Sequence, residues 1–475
     1  MTEVVETDIC VIGAGSAGLS VAAGAVQMGA RVVLIERGPM GGDCLNFGCV
    51  PSKSLIAAAQ AAHTFRSAGR FGIAAAEPQV DPLALRAHVR GVIAAIAPND
   101  SVERFEGLGV RVVRAEAHFA GPREVVAGGL SIRARRFVVA TGSRPAAPPI
   151  PGLAEVPYLT NESVFELAVR PEHLIVLGGG PIGCELAQAH RRLGARVTVL
   201  EAARILGKDD PEVTAVAKAR LAAEGVVLRE GVAVAAVAHE GGRFRLRLGE
   251  GADAELLEGS HLLVAAGRRP NLEGLNLAAA GIACSRQGIE VDAGLRSSNR
   301  RVFAIGDVAG GPQFTHVAGY HAGIVIRRAL FRLPARVDYR ALPWVTYTDP
   351  EVAHVGMTEA QARDRLGDGV QALAWPFSEN DRAQAEHETE GLIKVVLDRR
   401  ARVVGASIVG ARAGELLAPW VRGVGQHLPI GRIAGAIFPY PTLSEVSKRV
   451  AGSYYSPKLF SRRTKTVVRW LLKLG

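Results

Sequence analysis

Cysteine is scarce in this chain. Five occur in 475 residues, at positions 10, 44, 49, 184 and 284. That is too few and too scattered for the disulfide framework of a secreted domain, so a reducing, cytoplasmic setting is expected. Long apolar runs are missing as well: none approaches the ~20 residues that a membrane-spanning helix needs. The opening stretch, Met1 to Asp8, is acidic and runs straight into an apolar segment, which is not the pattern of a signal peptide. Acidic side chains give out after Glu445, while Lys448, Arg449, Lys458, Arg462, Arg463, Lys465, Arg469 and Lys473 follow it. Those eight cations leave only +2 of the formal net charge of +10 for the rest of the chain. The protein therefore has a basic tail rather than a basic body, and no nucleic-acid partner is expected. What remains is ordinary globular composition, 48% hydrophobic and 21% charged, at a length that implies about three domains.

Asp8 to Ile12 is an apolar strand that feeds Gly13-Ala14-Gly15-Ser16-Ala17-Gly18 and then a helix; a second strand, Arg31 to Ile35, ends in Glu36. In such a Gly-x-Gly-x-x-Gly turn the glycines allow a tight bend, close approach of a pyrophosphate and close helix–strand packing. Glu36 is placed to bond a ribose hydroxyl. The design recurs: Leu174 to Leu177 leads into Gly178, Gly180 and Gly183, and Arg196 to Leu200 ends in Glu201. Two such units in one chain imply two bound dinucleotides.

Between the units lies Gly41-Gly42-Asp43-Cys44-Leu45-Asn46-Phe47-Gly48-Cys49-Val50-Pro51-Ser52-Lys53. With Cys44 in a loop and Cys49 in a helical turn, the two Cα atoms can come within the 4.4–6.8 Å or so that a disulfide spans. Pro51 suits a first turn, and Ser54 to Ala59 continue as good helix formers. Cys49 then sits at a helix N-terminus, where the dipole favours a thiolate, and the pair reads as redox-active. Cys10, Cys184 and Cys284 read as small core residues.

This segment resembles the active-site helix of the pyridine nucleotide-disulfide oxidoreductases, the family of dihydrolipoamide dehydrogenase, glutathione reductase and mercuric reductase. The resemblance covers residues 1–455. It implies an α/β fold of two Rossmann-like dinucleotide-binding domains, for FAD and NAD(P), plus an α+β C-terminal dimerisation domain. The implied boundaries are 1–150 with 272–338 for FAD, 151–271 for NAD(P), 339–455 for dimerisation, and 456–475 for the tail. It makes Cys44 the interchange thiol and Cys49 the charge-transfer thiol, with Lys53 and Glu185 paired beside the flavin. FAD contacts are implied for Gly13, Gly15, Gly18, Glu36, Gly42, Thr141, Gly142, Asp307 and His316; Gly178, Gly180, Gly183, Glu201 and Gly267 belong to the nicotinamide side. A carboxylate at Glu201 repels a 2′-phosphate, so NADH is favoured over NADPH, although Arg204 is near enough to reach a phosphate. No metal site is implied.

The chain also departs from the family pattern. Asp43 stands where a threonine is usual, and Pro181 where a tyrosine or valine covers the flavin. Phe438 to Glu445 resembles the family's His-Pro-Thr-x-x-Glu, whose histidine is the acid–base, but the histidine position holds Tyr440. A tyrosine titrates near 10 and a histidine near 6.5, so Tyr440 is a donor rather than a base at neutral pH, and Glu445 lacks its imidazole partner. Mercuric reductases also carry tyrosine there, together with a C-terminal cysteine pair; this chain has no cysteine after Cys284.

The expected activity is that of an NADH-dependent homodimer resembling dihydrolipoamide dehydrogenase and reducing a small-molecule disulfide. A mercuric-reductase-like, quinone or other metal-ion reductase is the alternative. A FAD-bound redox sensor or membrane-docked scaffold is the rival from another class, opposed by the intact hydride path. The tail interleaves its cations with Val467, Val468, Trp470, Leu471, Leu472 and Leu474, a pattern for an amphipathic helix and a candidate peripheral membrane contact.

Overall fold

The computed structural model describes residues 3–249, 251 and 254–474. A seven-stranded sheet forms around strand Glu3–Ile12, in the order 111–113, 32–35, 3–12, 130–139, 124–127, 117–121, with strand Val302–Ala304 also pairing to 130–139. The strands that meet Ile9–Ile12 are parallel to it, with Val11 opposite both Leu34 and Val138. Both faces of this centre are covered, so its strands read as unbroken apolar runs rather than alternating ones. Residues 302–304 are distant in sequence yet complete the same sheet, because Phe303 lies opposite Val138 and is fully buried.

A second, four-stranded parallel sheet follows in the order 226–230, 196–201, 173–177, 261–264. An antiparallel sheet of strands 234–240, 243–248 and 255–259 packs on it through Val237, Phe244, Leu246, Ile175 and Leu200. The chain enters and leaves this unit side by side: Ser143–Pro145 pairs antiparallel with Arg268–Pro270. The last module is a five-stranded antiparallel sheet in the order 343–346, 351–356, 403–410, 392–397, 371–376. Its core closes on buried Trp420, whose indole N–H donates to Ser447 Oγ at 3.1 Å.

Two buried cations hold the last module to the second unit. Lys394 reaches Asp210 at 3.1 Å, Glu212 at 2.9 Å and Glu359 at 2.7 Å. Arg192 reaches Glu224 at 2.6 Å and Asp349 at 2.7 Å. With each charge paired, the cost of burying it is offset. Of the three cysteines expected in the core, Cys10 and Cys184 are fully buried and Cys284 is exposed. Cys284 lies on a two-residue strand beside Ser285, Arg286 and Gln287, a hairpin too short and polar to bury it. Among the described residues no helix is long and apolar enough to cross a membrane.

Candidate active site

The two glycine turns share one geometry. Gly13 and Gly178 have φ of +106° and +112°, which an L side chain rarely adopts. A Cβ on Gly18 would overlap the Gly13 carbonyl, and one on Gly183 the Gly178 carbonyl, so each third glycine lets its helix close onto its strand. The middle glycines differ in kind. A Cβ on Gly180 would meet nothing within 4 Å, and one on Gly15 only Gly42 Cα at 3.8 Å. Each middle glycine therefore borders open space at a helix N-terminus, a cradle that fits a pyrophosphate.

Glu36 and Glu201 brace these turns. Glu36 accepts from Ala14 N–H at 2.6 Å and Gly38 N–H at 2.7 Å. Glu201 accepts from Gly179 N–H and Ala203 N–H, both at 2.8 Å. A carboxylate has about four acceptor sites, so each retains capacity for a ribose hydroxyl. Arg204 is turned to the Gly207 carbonyl at 3.3 Å.

Cys44 lies on a one-turn helix, Gly42–Asn46, rather than in the expected loop, and Cys49 opens the helix Cys49–Ser67. Gly42, at φ +60°, starts the short turn against Gly15, joining the thiol segment to the first cradle. The Cys49 thiol is pushed down to about 6. A hydrogen bond from Cys44 is the main cause, opposed by burial and assisted by Thr315 and the Lys53 charge. The same bond, seen from its donor, and burial push Cys44 up. Reduced, the pair thus holds its proton on Cys44 and its charge on Cys49.

Thr315, which opens the helix Thr315–Ala329, places Oγ1 3.5 Å from Cys49 Sγ. Sequence reading passed over it in favour of the adjacent His316. That ring instead stacks on Phe314 and donates from Nε2 to the Pro343 carbonyl at 2.9 Å. Thr315→Val is expected to raise the pH at which the Cys49 thiolate forms from its value near 6. An ultraviolet thiolate titration of the reduced protein checks this; an unmoved midpoint would remove Thr315 from the thiolate's support.

Lys53, one helical turn beyond Cys49, bonds Glu185 Oε2 at 2.8 Å. Glu185 is buried, and its Oε1 accepts from Tyr347 N–H at 3.0 Å. The Tyr347 ring faces the Lys53 ammonium 4.3 Å from its centroid, a cation–π contact. Pro181 is the first residue of the helix that carries Glu185, where its missing N–H costs nothing.

Asp43 has an unexpected partner. Its carboxylate pairs with Arg268 at 3.1 Å and accepts from Asn161 Nδ2 at 3.2 Å. Arg268 also donates to Ser143 Oγ at 2.8 Å, and Ser143 donates to Asp307 Oδ2 at 2.5 Å. Burial holds the Asp307 carboxyl above its usual range despite that bond. Thr141 Oγ1 donates to the Asn271 carbonyl at 2.8 Å, and Asn271 N–H to the Gly142 carbonyl at 3.0 Å. Gly267, at φ +148°, accepts from Ala146 N–H at 3.0 Å on the same crossing. The residue departing from the family pattern is therefore anchored where the first two units meet.

Tyr440 and Glu445 are not joined to this cluster within the chain. Tyr440 is 69% exposed and donates to Asp381 Oδ2 at 2.9 Å. Glu445 opens the helix Glu445–Ser453 and takes no side-chain hydrogen bond among the described residues. The Asp381 carboxylate raises the phenol's pKa, fixing Tyr440 as a donor. Nothing in the sequence spacing links Asp381, which opens the helix Asp381–Glu386, to Tyr440, on a loop elsewhere in the last module.

The chain matches known proteins along most of its length. Residues 7–322 match the family model "Pyridine nucleotide-disulphide oxidoreductase", and residues 342–451 match the dimerisation domain of the same family, which supports a homodimer. A mercuric reductase of Staphylococcus aureus is 35% identical over 447 residues, spanning 94% of this chain and 82% of that protein. A dihydrolipoyl dehydrogenase of Geobacillus stearothermophilus is 35% identical over 456 residues, 94% of this chain and 96% of that protein. The solved Cu(II) complex of the HOCl-induced flavoprotein disulfide reductase RclA from Escherichia coli superposes with a TM-score of 0.85 at 28% identity, covering 94% and 99% of the two chains. With nearly its whole length accounted for in this way, the chain belongs to the pyridine nucleotide-disulphide oxidoreductase family.

Proposed function

We propose that the protein is a cytoplasmic, homodimeric NADH oxidoreductase that passes electrons through Cys44 and Cys49 to a small-molecule acceptor, in the manner of dihydrolipoamide dehydrogenase. The observation that carries this reading is the placement of the thiols: Cys49 opens a helix beside Cys44, with Thr315 Oγ1 3.5 Å from its Sγ and Lys53, paired to Glu185, one turn on, and these neighbours favour the Cys49 thiolate. The Gly13–Gly18 turn would hold FAD, which when bound would supply the two-electron relay between nicotinamide and thiols. The chain's own residues do the rest. Lys53 and Glu185 set the charge on the nicotinamide side. Once its proton has passed to Cys49, Cys44 attacks one sulfur of the acceptor disulfide and breaks the S–S bond; Cys49 then attacks Cys44 Sγ, closing the Cys44–Cys49 disulfide, and the two acceptor thiolates leave, taking protons from Cys49 and from water. Asp307, bonded through Ser143 to Arg268, holds the second FAD segment in place.

The second reading takes a metal ion as the reducible substrate. Tyr440 favours it, since a phenol stands where a disulfide reductase needs a base, and a soft ion would be taken by the Cys44 and Cys49 thiolates themselves. Mercuric reductases and a Cu(II) complex stand among the relatives. Anaerobic NADH oxidation by the FAD-loaded dimer, with lipoamide or with thiol-complexed Hg(II), separates the two. Lipoamide turnover of the order of ten per second, within the usual enzyme range, supports the first. Negligible lipoamide turnover with rapid flavin bleaching by NADH supports the second.

Glu201 supports NADH as the nicotinamide. Its carboxylate repels a 2′-phosphate, so kcat/KM for NADH exceeds that for NADPH by about tenfold or more. Glu201→Gln keeps an acceptor for the turn but removes the charge, and is expected to narrow that ratio. An unchanged ratio would place the discrimination elsewhere.

A further inference from the structure

We propose that the C-terminal helix docks the enzyme on an anionic lipid surface, lying flat with its apolar face in the bilayer boundary. The proposal is independent of which acceptor is reduced. The helix Arg462–Leu471 is capped by Ser461, whose hydroxyl accepts from Thr464 N–H, and Thr464 Oγ1 donates to the Lys458 carbonyl at 2.7 Å. All its side-chain hydrogen bonds lie within residues 458–466. Within the helix Arg462, Lys465 and Arg469 follow i, i+3, i+7 and share one face, while Val467, Trp470 and Leu471 follow i, i+3, i+4 and share another, with Arg463 one turn before Val467 at the end of the apolar stripe; Lys473 and Leu474 lie in the turn beyond.

That apolar face is not packed on the body: Val467 is 54%, Trp470 61%, Leu471 50% and Leu474 67% exposed. Phe460, just before the helix, is also exposed. Six cations and no acid lie between Lys458 and Lys473. An apolar protein groove without acids would satisfy the stripe but not the positive charge. A nucleic acid would satisfy the charge and leave the stripe in water. An anionic bilayer satisfies both, with Trp470 at the level where indoles settle. One short helix of this kind binds weakly, and a homodimer presents two.

The test is co-sedimentation of the FAD-loaded full chain with vesicles of phosphatidylglycerol and phosphatidylcholine. Binding is expected at about 0.1 M salt, at least about tenfold weaker at 1 M salt, where the Debye length falls to ~3 Å, and lost with pure phosphatidylcholine. Deleting 456–475 should abolish it while FAD stays bound. The pair K465E/R469E and the pair V467S/L471S should each weaken it, and Trp470 emission should shift to the blue on binding. Equal binding by the deletion variant or to neutral vesicles would overturn the proposal, as would none to anionic ones. So would a deletion variant that becomes monomeric, which shows that a second copy covers the stripe, or tighter binding to an oligonucleotide than to vesicles.

Discussion

Tyr440→His raises lipoamide-dependent NADH oxidation by about 10²-fold, the lower end of what a positioned general base contributes. The phenol donates to Asp381, whose carboxylate pushes its pKa up, so it stays protonated throughout the neutral range and accepts no proton. An imidazole there titrates near 6.5. Glu445 is free to orient it, since its carboxylate is not bonded to another side chain among the described residues and its charge is felt at position 440. The gain should lie in kcat for disulfide acceptors and leave flavin bleaching by NADH unchanged, because Tyr440 makes no contact with Lys53 or Glu185. Asp381→Asn is the control: it removes the phenol's anionic partner without supplying a base and gives no comparable gain. A folded, FAD-loaded Tyr440→His protein with unaltered lipoamide turnover would show that exchange at this site is not limited by the missing base.

Glu185→Ala is expected to cost about 2–3 kcal/mol of stability and to slow flavin bleaching by NADH by about 10²-fold. The stability loss falls below that of a fully buried pair because Lys53 keeps a third of its side chain in water and its charge is partly screened there. Removing the acid strips the ammonium of its 2.8 Å partner and leaves the Tyr347 N–H without an acceptor. Lys53 is then free to swing from the position where it supports the Cys49 thiolate. Glu185→Gln separates the two effects. Its amide oxygen still accepts from Tyr347, so the denaturant midpoint recovers in part, while the missing charge keeps bleaching slow. A Gln variant as fast as the parent would reduce Glu185 to a structural role.

What was legible in the sequence follows from the range of the forces involved. The two glycine turns and their terminal acids could be read directly, because the overlaps that demand Gly18 and Gly183 arise within six residues. Lys53 and Glu185 were paired through family resemblance, since 132 residues separate them. The contacts of Thr315 with Cys49, Arg268 with Asp43 and Asp381 with Tyr440 depend on how elements far apart in the chain come together. Neither propensity nor periodicity carries that information. His316 drew notice because imidazoles draw notice, yet the hydroxyl one residue earlier reaches the thiol. Cys284 was misread because apolar character was weighed without the length of its strand.

The discontinuous sheet has a consequence for the order in which the chain acquires its structure. Strand Val302–Ala304 pairs with Leu130–Val139, so a sheet begun at Glu3 cannot be finished until residue 304 has left the ribosome. The inserted unit suffers no such delay: its four parallel strands run from His173 to Val264. During synthesis, then, the usual N-to-C sequence of domain folding is inverted. The second nucleotide unit can close first, and the edge strand that completes its elder neighbour arrives afterwards.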